Sequence, residues 1–427
     1  MNLHRLKPAL HLAQKFFWAA FLVSLPFTSF PYLPAEFGGR TQVRPLAIYP
    51  LLALLLLVTL PRLFKKRLPA TFLPLLAFVA AAILSSILAL GMDLEAVKGV
   101  TMISRLLRNL LTLFLGVAIY FTAVLYHQDE EDLNFSLRWL YLGFALVLAW
   151  GSLQAIYILH FDETYFALLN QLQGLISTQE LYPTRISGFT YEPKWFAEQI
   201  TFLLMPWLLS AVILRRSVFR WRYRWLTVEA LLLAWSSLVL MFTFSRTGLF
   251  VLVIITFISV LVGRRFAPPG HPGRPAAAQN RLQRTWQRFS QYSHQHPGLR
   301  WAEAALATLA LAGILFFVGS RNPYFSRLWR YWSDERAVGK SYLEYIAFGQ
   351  RIAYTETALR IYEDYPFFGV GPGNYAFFFN TRLPNRPYQN LPEIIRQITP
   401  TARGNQLVTP KNLYARLLAE TGWIGTV

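Results

Sequence analysis

The sequence predicts an all-α protein that crosses a membrane many times. Hydrophobic residues make up 54% of the 427 residues, compared with about 45–50% in a typical globular chain. Only 15% of the residues are charged, and the apolar residues form long continuous blocks. A soluble chain of this length needs a much larger charged surface, so these observations exclude an ordinary soluble fold.

The individual spans follow from blocks of about 20 apolar residues, the length that crosses a bilayer. They cover residues 16–33, 45–61, 70–91, 109–126, 137–161, 196–214, 226–244, 248–263 and 301–319. A tenth span begins near Asn412 and is cut off by the end of the sequence, so we expect a truncated C-terminus. Pro26 and Pro31 are interpreted as kinks in the first span, which no small-residue cleavage site follows.

The distribution of basic residues predicts the orientation of these spans. The net charge is +19, with 41 Lys and Arg against 22 Asp and Glu, and the basic residues concentrate in alternate connections, starting with the N-terminus. The positive-inside rule then places the N-terminus in the cytoplasm. The acidic run 129–132 suits the positive N-terminal end of the helix that follows it.

Two long connections divide the chain. Residues 1–319 hold nine spans and a basic cytoplasmic loop over 264–300, residues 320–410 form an extracytoplasmic loop, and residues 411–427 start the tenth span. The loop 264–300 contains no acidic residue. Nucleic-acid binding is one interpretation of this loop, but contact with anionic lipid headgroups is favoured, and we expect no nucleic-acid partner.

The extracytoplasmic loop contains one conspicuous arginine. Residues 341–365 predict one amphipathic helix that ends before Pro366. Glu356 precedes Arg360 by four residues, so these two side chains should pair. Arg351 has no carboxylate at helical spacing, which makes its guanidinium a candidate ligand for a phosphate.

The same loop is rich in aromatic residues, Tyr354 among them. Aromatic rings cover the C–H faces of sugars, but they also gather at membrane interfaces, and both interpretations stay open. The segment 368–375 holds three glycines and a proline and predicts a rigid structural turn. It is not a P-loop, because no Gly-Lys-Ser/Thr follows.

Two more polar motifs lie on the outer side of the predicted topology. Arg246 occupies the corner between the seventh and eighth spans, as either a surface anchor or a ligand for a lipid headgroup. Arg185 and Glu192 precede the sixth span, and Pro193 suits the first turn of that helix. Capping explains Glu192 alone, whereas Arg185 adds a second external cation.

Metal or thiol chemistry has no support in the sequence. The chain contains no cysteine, which excludes disulfides and a catalytic thiolate. His160 is the one histidine that the topology places outside, and no cluster of His, Asp and Glu has metal-ligand spacing. We therefore expect no metal and no cofactor.

Four motifs follow one another in a diagnostic order. They are RISGFTYEP at 185–193, FSRTGL at 244–249, RIAYTETALRIYEDYPFFGVGPGNY at 351–375 and KNLYARLLAETGWIG at 411–425. Together with the long loop between the ninth and tenth spans, they resemble the hallmarks of the O-antigen ligase and polymerase family. The resemblance covers roughly the C-terminal half of the chain.

The resemblance implies a GT-C-like bundle of about ten or more helices in the bacterial inner membrane. Its expected activity is transfer of a glycan from an undecaprenyl diphosphate carrier to an acceptor glycan or lipid, on the extracytoplasmic face and without metal. A chain-length regulator is a further expected partner.

The resemblance also implies site residues by motif position. The expected ligands of the diphosphate are Arg185, Arg246 and Arg351. The expected substrate contacts are Lys411, Asn412, Tyr414 and, from the aromatic loop, Tyr354. Lys411 stands where ligases of the family carry a histidine, and lysine is a poor base at neutral pH, so it suits phosphate binding better.

Other assignments stay open at this point. Glu192 is the candidate base for the acceptor's proton, with Glu344, Glu356 and Glu393 as alternatives. The missing histidine favours a polymerase over a ligase. The alternative class is a transporter of small anions, whose polar residues within spans would be Gln154, Glu198, Gln199 and Glu229. A scaffold protein would leave the external arginines unexplained.

Overall fold

The computed structural model describes residues 3–32, 43–65, 68–223, 226–263, 297–335, 338–339, 341–346, 348–384, 391–399 and 407–427. The helices up to residue 263 are α1 (Leu3–Ser24), α2 (Ile48–Leu54), α3 (Leu60–Leu63), α4 (Phe72–Ala89), α5 (Met102–Tyr126), α6 (Glu130–Leu159), α7 (Glu163–Ile176), α8 (Pro193–Leu214), α9 (Val228–Phe242) and α10 (Arg246–Gly263). The later helices are α11 (Pro297–Ser320), α12 (Pro323–Ser326), α13 (Tyr342–Tyr345), α14 (Gly349–Asp364), α15 (Tyr375–Arg382), α16 (Pro392–Ile398) and α17 (Leu413–Thr421).

Non-α structure is limited among these residues. A π-helical turn, Leu55–Thr59, separates α2 from α3, and a second one, Ile200–Leu204, lies within α8. Arg330–Trp332 form a 3-10 turn. The strands β1 (Arg222–Tyr223) and β2 (Leu226–Thr227) pair antiparallel.

Five helical segments are long and apolar enough to cross a membrane. They are α4, α5, α6, α8 and residues 301–320 of α11. Shorter apolar helices cover Ile48–Leu63, Val228–Phe242 and Arg246–Val262. The predicted α-helical membrane protein with several spans is therefore confirmed, whereas the count of ten or more spans and the truncation stay predictions. Residues 264–296 of the predicted basic loop lie outside the residues that the structure describes.

Sequence-encoded helix starts are confirmed at two places. The acidic run begins α6, where the Asp129 side chain accepts from the backbone N–H of Asp132 at 2.9 Å. Pro193 occupies the first turn of α8, where its missing N–H removes no helical hydrogen bond.

Two predicted helices differ from the structure. The first does not continue through kinks at Pro26 and Pro31. Instead, α1 ends at Ser24, because a proline disfavours the helical conformation of the residue before it. The single helix over 341–365 is also wrong. A capping box at Ser341 starts the short α13, and a new helix starts at Gly349, a residue type with low helix propensity.

The residues divide into two compact units. The first unit comprises Met1–Leu54 and His127–Ser326. Its core contains the fully buried side chains of Phe144, Leu148 and Phe196, and Ile186 of the RISGFTYEP motif is buried among them. This motif is thus held inside the unit by packing.

The second unit comprises Leu55–Tyr126 and Arg327–Val427. Its core joins α14 and α15 through the buried rings of Tyr354, Tyr375 and Phe379. α17 is nine residues long and ends at Thr421, and the Gly422 that follows has a φ of 65°, which suits glycine. The predicted tenth span therefore begins as a short helix, and its membrane crossing stays a prediction.

Candidate anion-binding site

A buried glutamine fixes the segment that carries Arg185. The Oε1 atom of Gln154 accepts from the backbone N–H groups of Ser187 and Gly188, both at 3.1 Å. Its Nε2 donates to the Gly188 carbonyl at 3.2 Å. Gly188 has a φ of 56°, and a Cβ there would lie 2.8 Å from a methyl group of Val147. The backbone beside Arg185 therefore has one closely defined conformation.

Further hydrogen bonds attach this segment to neighbouring helices. Gln173 donates to the same Gly188 carbonyl at 3.3 Å and accepts from the Trp150 indole at 2.7 Å. The Ile186 N–H donates to the carbonyl of Phe242, the last residue of α9, at 3.1 Å. This bond brings the RISGFTYEP motif beside the corner that carries Arg246.

The corner between α9 and α10 has an unusual backbone. Phe244 has a φ of 46°, in the left-handed region that non-glycine residues rarely adopt. The Ser245 hydroxyl accepts from the Gly248 N–H at 3.3 Å and caps α10. Arg246 is the first residue of α10. A cation at the positive N-terminal end of a helix is unfavourable by itself. The arginine and the helix end together, however, attract an anion.

Arg185 and Arg246 meet at one aromatic ring. The guanidinium carbon of Arg185 lies 4.1 Å from the centre of the Tyr324 ring, and that of Arg246 lies 5.7 Å from it. Both guanidinium groups are within cation–π range of this ring. Two of the three predicted diphosphate ligands therefore contact the same ring in the first unit.

Asn322 holds Tyr324 in this place. Its side-chain Nδ2 donates to the Thr184 carbonyl at 2.7 Å, next to Arg185. Its Oδ1 accepts from the Tyr324 N–H at 2.9 Å. Asn322 is buried, so this one side chain links the segment before Arg185 to α12.

A second tyrosine also lies close to Arg185. The Arg185 guanidinium carbon is 5.2 Å from the Tyr182 ring centre. Burial and, to a smaller degree, the Glu192 carboxylate raise the pKa of Tyr182, while Arg185 opposes the rise. Within the described part of the chain, Arg185 has no carboxylate partner. Its guanidinium contacts two aromatic rings, and none of the described carboxylates pairs with it.

The four candidate bases differ in what they contact. Glu344 accepts from the Ser341 N–H in the capping box, Glu356 pairs with Arg360 at 3.0 Å, and Glu393 accepts from the Tyr354 hydroxyl at 2.9 Å. Glu192 precedes α8 but makes no side-chain cap hydrogen bond. Among the residues that the structure describes, its carboxylate has no hydrogen-bond or ion-pair partner. Glu192 is the one of the four that is not engaged locally.

Arg351, the third predicted arginine, lies on α14 in the second unit. It is exposed, and its guanidinium makes no hydrogen bond or ion pair with the described residues. The expected pair on the same helix, Glu356 with Arg360, is confirmed at 3.0 Å.

The predicted substrate contacts of the second unit have different surroundings. Lys411 is exposed and Tyr414 is 73% exposed. The Asn412 side chain caps α17 by accepting from the Tyr414 and Ala415 N–H groups at 3.0 and 3.3 Å. Asn412 therefore has a structural role, and its predicted contact with substrate stays a prediction.

Tyr354 is fully buried, unlike an exposed sugar platform. Its hydroxyl donates to Glu393 at 2.9 Å, and its carbonyl accepts from the Tyr375 hydroxyl at 2.9 Å. Burial, with Glu393 nearby, holds the pKa of Tyr354 well above its usual range. In this structure its ring joins α14 to α15 and α16, and its predicted substrate contact stays untested.

Three of the four polar residues considered for transport have structural partners. Gln154 fixes the Gly188 segment, as described above. Glu229 accepts from the Ser217 hydroxyl and the Val218 N–H, both at 2.8 Å. Glu198 pairs with Lys194 at 3.3 Å. Each of these three side chains is used to hold local structure.

Sequence reasoning missed Tyr324 and Asn322. Their nearest signal was the Asn322-Pro323 dipeptide, which starts a short helix. It gave no indication of the contact with Thr184, because that contact joins distant parts of the chain. In the described ranges no group of three or more His, Cys, Asp and Glu side chains has the arrangement of a metal site.

Comparison with known proteins bears on the C-terminal part of the chain. Residues 230–427 match the family model described as O-antigen ligase. This stretch contains the motifs at 244–249, 351–375 and 411–425, and the motif at 185–193 precedes it. The resemblance seen in the sequence is thereby confirmed. No curated protein and no solved structure gave a match.

Proposed function

We propose that the protein is a membrane glycosyltransferase, because residues 230–427 match the family model described as O-antigen ligase. It transfers or polymerises a glycan carried on undecaprenyl diphosphate, on the extracytoplasmic face of the bacterial inner membrane, with its N-terminus in the cytoplasm. The acceptor is a glycan or a lipid, and a chain-length regulator is a further partner. A polymerase is favoured over a ligase because Lys411 replaces the histidine of the ligases.

The arrangement of Arg185 and Arg246 around Tyr324 is the observation that supports this proposal. A lipid diphosphate carries negative charge on several oxygens, and guanidinium groups bind such oxygens through charge-assisted hydrogen bonds. The ring holds both cations before the ligand arrives, so little reorganisation is needed on binding.

The proposed reaction needs charge stabilisation and one proton acceptor. The acceptor hydroxyl oxygen attacks the anomeric carbon, and the bond from that carbon to the diphosphate oxygen breaks. The electron pair of that bond stays on the diphosphate, where Arg185 and Arg246 stabilise the new charge. Arg351 and Lys411 of the second unit stay predicted contacts of the lipid-linked substrate. The hydroxyl proton passes to the carboxylate of Glu192.

The proposed role of Glu192 gives a specific prediction. Replacing Glu192 by Gln should lower turnover about 100-fold or more, the usual contribution of a general base, and leave KM for the lipid-linked glycan nearly unchanged. Lys194→Gln, which removes a charge from the same turn of α8, is the matched control and should retain normal turnover. Wild-type turnover in Glu192→Gln would assign the base elsewhere.

The decisive experiment is to supply the purified protein in vesicles with an undecaprenyl-diphosphate oligosaccharide. A ladder of products supports a polymerase, and a single transfer to an added acceptor lipid supports a ligase. Uptake of solute without any glycan transfer would overturn the proposal in favour of a transporter.

A further inference from the structure

The connection between α8 and α9 is strongly basic. Residues 215–224 contain five arginines and no acidic residue. Four of these arginines lie within the described residues 215–223, and all four are exposed: Arg215, Arg216, Arg220 and Arg222. α8 is long and apolar enough to cross a membrane, and α9 is a shorter apolar helix. The segment that joins them, which we call the arginine connection (residues 215–223), therefore emerges at a membrane surface.

Polar contacts hold the middle of the arginine connection in place. The fully buried carboxylate of Glu229 in α9 accepts from the Ser217 hydroxyl and the Val218 N–H, both at 2.8 Å. Arg138 of α6 donates to the Val218 carbonyl, from Nε at 3.3 Å and from Nη2 at 3.0 Å. The segment that carries the exposed arginines is thus attached to both α6 and α9 within the first unit.

Two exposed aromatic side chains alternate with these arginines in the sequence. Trp221 is 52% exposed and Tyr223 is 58% exposed. Tyr223 lies in β1, where it pairs with Leu226 of β2. Tryptophan and tyrosine collect at the boundary between a bilayer and water, because each ring is apolar and carries one polar group. The arginine connection therefore offers apolar rings and positive charge at the same membrane surface.

Local carboxylates compensate little of this positive charge. Arg216 pairs with Glu130 at 3.7 Å, but the two side chains are 80% and 76% exposed. Exposed pairs of this kind are weak, because water and salt screen them. The carboxylate of Glu229 is buried beneath the connection, where it accepts from Ser217 and Val218. The outward-facing arginines therefore leave a positive surface that suits anionic headgroups.

We propose that the arginine connection is a docking surface for anionic phospholipids of the surrounding bilayer. Its exposed guanidinium groups bind the lipid phosphates through charge-assisted hydrogen bonds, while Trp221 and Tyr223 enter the headgroup layer. A signal for membrane orientation needs positive charge alone, whereas a docking surface also selects which lipids lie beside it. The docking role is independent of the proposed glycan transfer, so either one can fail without the other.

Fluorescence quenching by labelled lipids tests this docking surface. The chain contains no cysteine, so a fluorophore can be attached to a single cysteine at Leu214, the exposed last residue of α8. The full chain is placed in phosphatidylcholine vesicles with a small fraction of either phosphatidylglycerol or phosphatidylcholine that carries the same nitroxide on its acyl chain. Phosphatidylglycerol should be enriched about fivefold beside the label. A label at Leu159, exposed at the end of α6, is the positional control and should show no enrichment.

Charge variants then test whether the arginines cause the enrichment. Arg220→Gln combined with Arg222→Gln should reduce it to less than about twofold, whereas the two corresponding lysine substitutions should retain it. Arg327→Gln combined with Arg330→Gln removes the same charge from exposed positions of the second unit and should leave the enrichment unchanged. About 1 M sodium chloride should abolish the enrichment without any substitution in the connection, because it screens exposed charges. This salt measurement decides the point if the glutamine variant does not reach the membrane.

Competitors separate a bilayer lipid from a soluble ligand. Inorganic phosphate or polyglutamate, added at constant ionic strength, should leave phosphatidylglycerol enriched beside the label. Complete displacement by either would mean that the connection binds a free anion or an acidic protein, and the proposal would fail. It would fail equally if both labelled lipids quenched the label alike, if the enrichment survived high salt, or if the control pair of substitutions reduced it as much as the pair in the connection.

Discussion

The two units hold their candidate arginines in opposite ways. In the first unit, Arg185 is half-buried and lies close to the rings of Tyr182 and Tyr324, and neutral amides fix the backbone beside it. In the second unit, Arg351 is exposed and has no hydrogen-bond or ion-pair partner in the part of the chain that the structure describes. A buried carboxylate of the second unit, Glu420, pairs instead with Arg416 at 2.9 Å.

This difference separates preorganised cations from mobile ones. A guanidinium held between rings keeps its orientation before a ligand binds, so its contribution depends on its planar shape. An exposed arginine contributes mainly its charge and loses side-chain entropy when it binds. The comparison therefore predicts that the first unit is sensitive to geometry and the second unit to charge.

Removing a guanidinium from the first unit should have the largest effect. Arg185→Ala and Arg246→Ala should each lower glycan transfer about 100- to 1,000-fold, the loss typical of one preorganised donor. Product formation in vesicles measures the loss, and the amount of protein in the membrane controls for folding. Normal product from both variants would remove the proposed site.

Lysine substitutions test the comparison directly. Arg185→Lys should lose about tenfold in rate, because an ammonium does not reproduce planar stacking on two rings. Arg351→Lys keeps the charge at an exposed position and should lose clearly less. Parallel kcat/KM measurements on the two variants decide the point, and equal losses would mean that the two arginines act alike.

Removing the aromatic ring of Tyr324 should have a smaller effect. Tyr324→Leu should reduce transfer about tenfold, because two cation–π contacts are lost. Tyr324→Phe keeps the ring and should retain most of the activity. If the Phe variant were as defective as the Leu variant, the hydroxyl and not the ring would be responsible.

The smallest effect concerns stability at alkaline pH. The pKa of Tyr354 is raised in the folded state, so this tyrosine contributes stability below the unfolded pKa of about 10 and loses the contribution as the pH rises above it. The midpoint of thermal unfolding in detergent should therefore fall above about pH 10. Tyr354→Phe lowers the midpoint at neutral pH by removing the bond to Glu393, but its further fall at alkaline pH should be shallower than that of wild type.

Features that depend on neighbouring residues could be predicted from the sequence. The spans follow from apolar blocks, and the pair of Glu356 with Arg360 follows from helical spacing. The rigid turn at 368–375 follows from its three glycines, all of which adopt positive φ values. In each case the residues that determine the structure lie within a few positions of one another.

Features that depend on tertiary packing could not be predicted in this way. The ring of Tyr324 joins Arg185 to Arg246, although these residues are far apart in sequence. The burial of Tyr354 was missed because an aromatic residue in a loop looks the same whether it covers a sugar or fills a core. The burial of Glu420 was also missed, because its partner Arg416 stands four residues away and such a pair looks in the sequence like an ordinary exposed one.

The left-handed backbone at Phe244 has a consequence for the whole corner. Its ring is buried and lies 6.2 Å from the ring of Phe325 on α12. A non-glycine residue in this conformation stores about 1–2 kcal/mol, which the packing of the ring offsets. The conformation of the turn that leads into Arg246 therefore depends on the packing of Phe244 against α12.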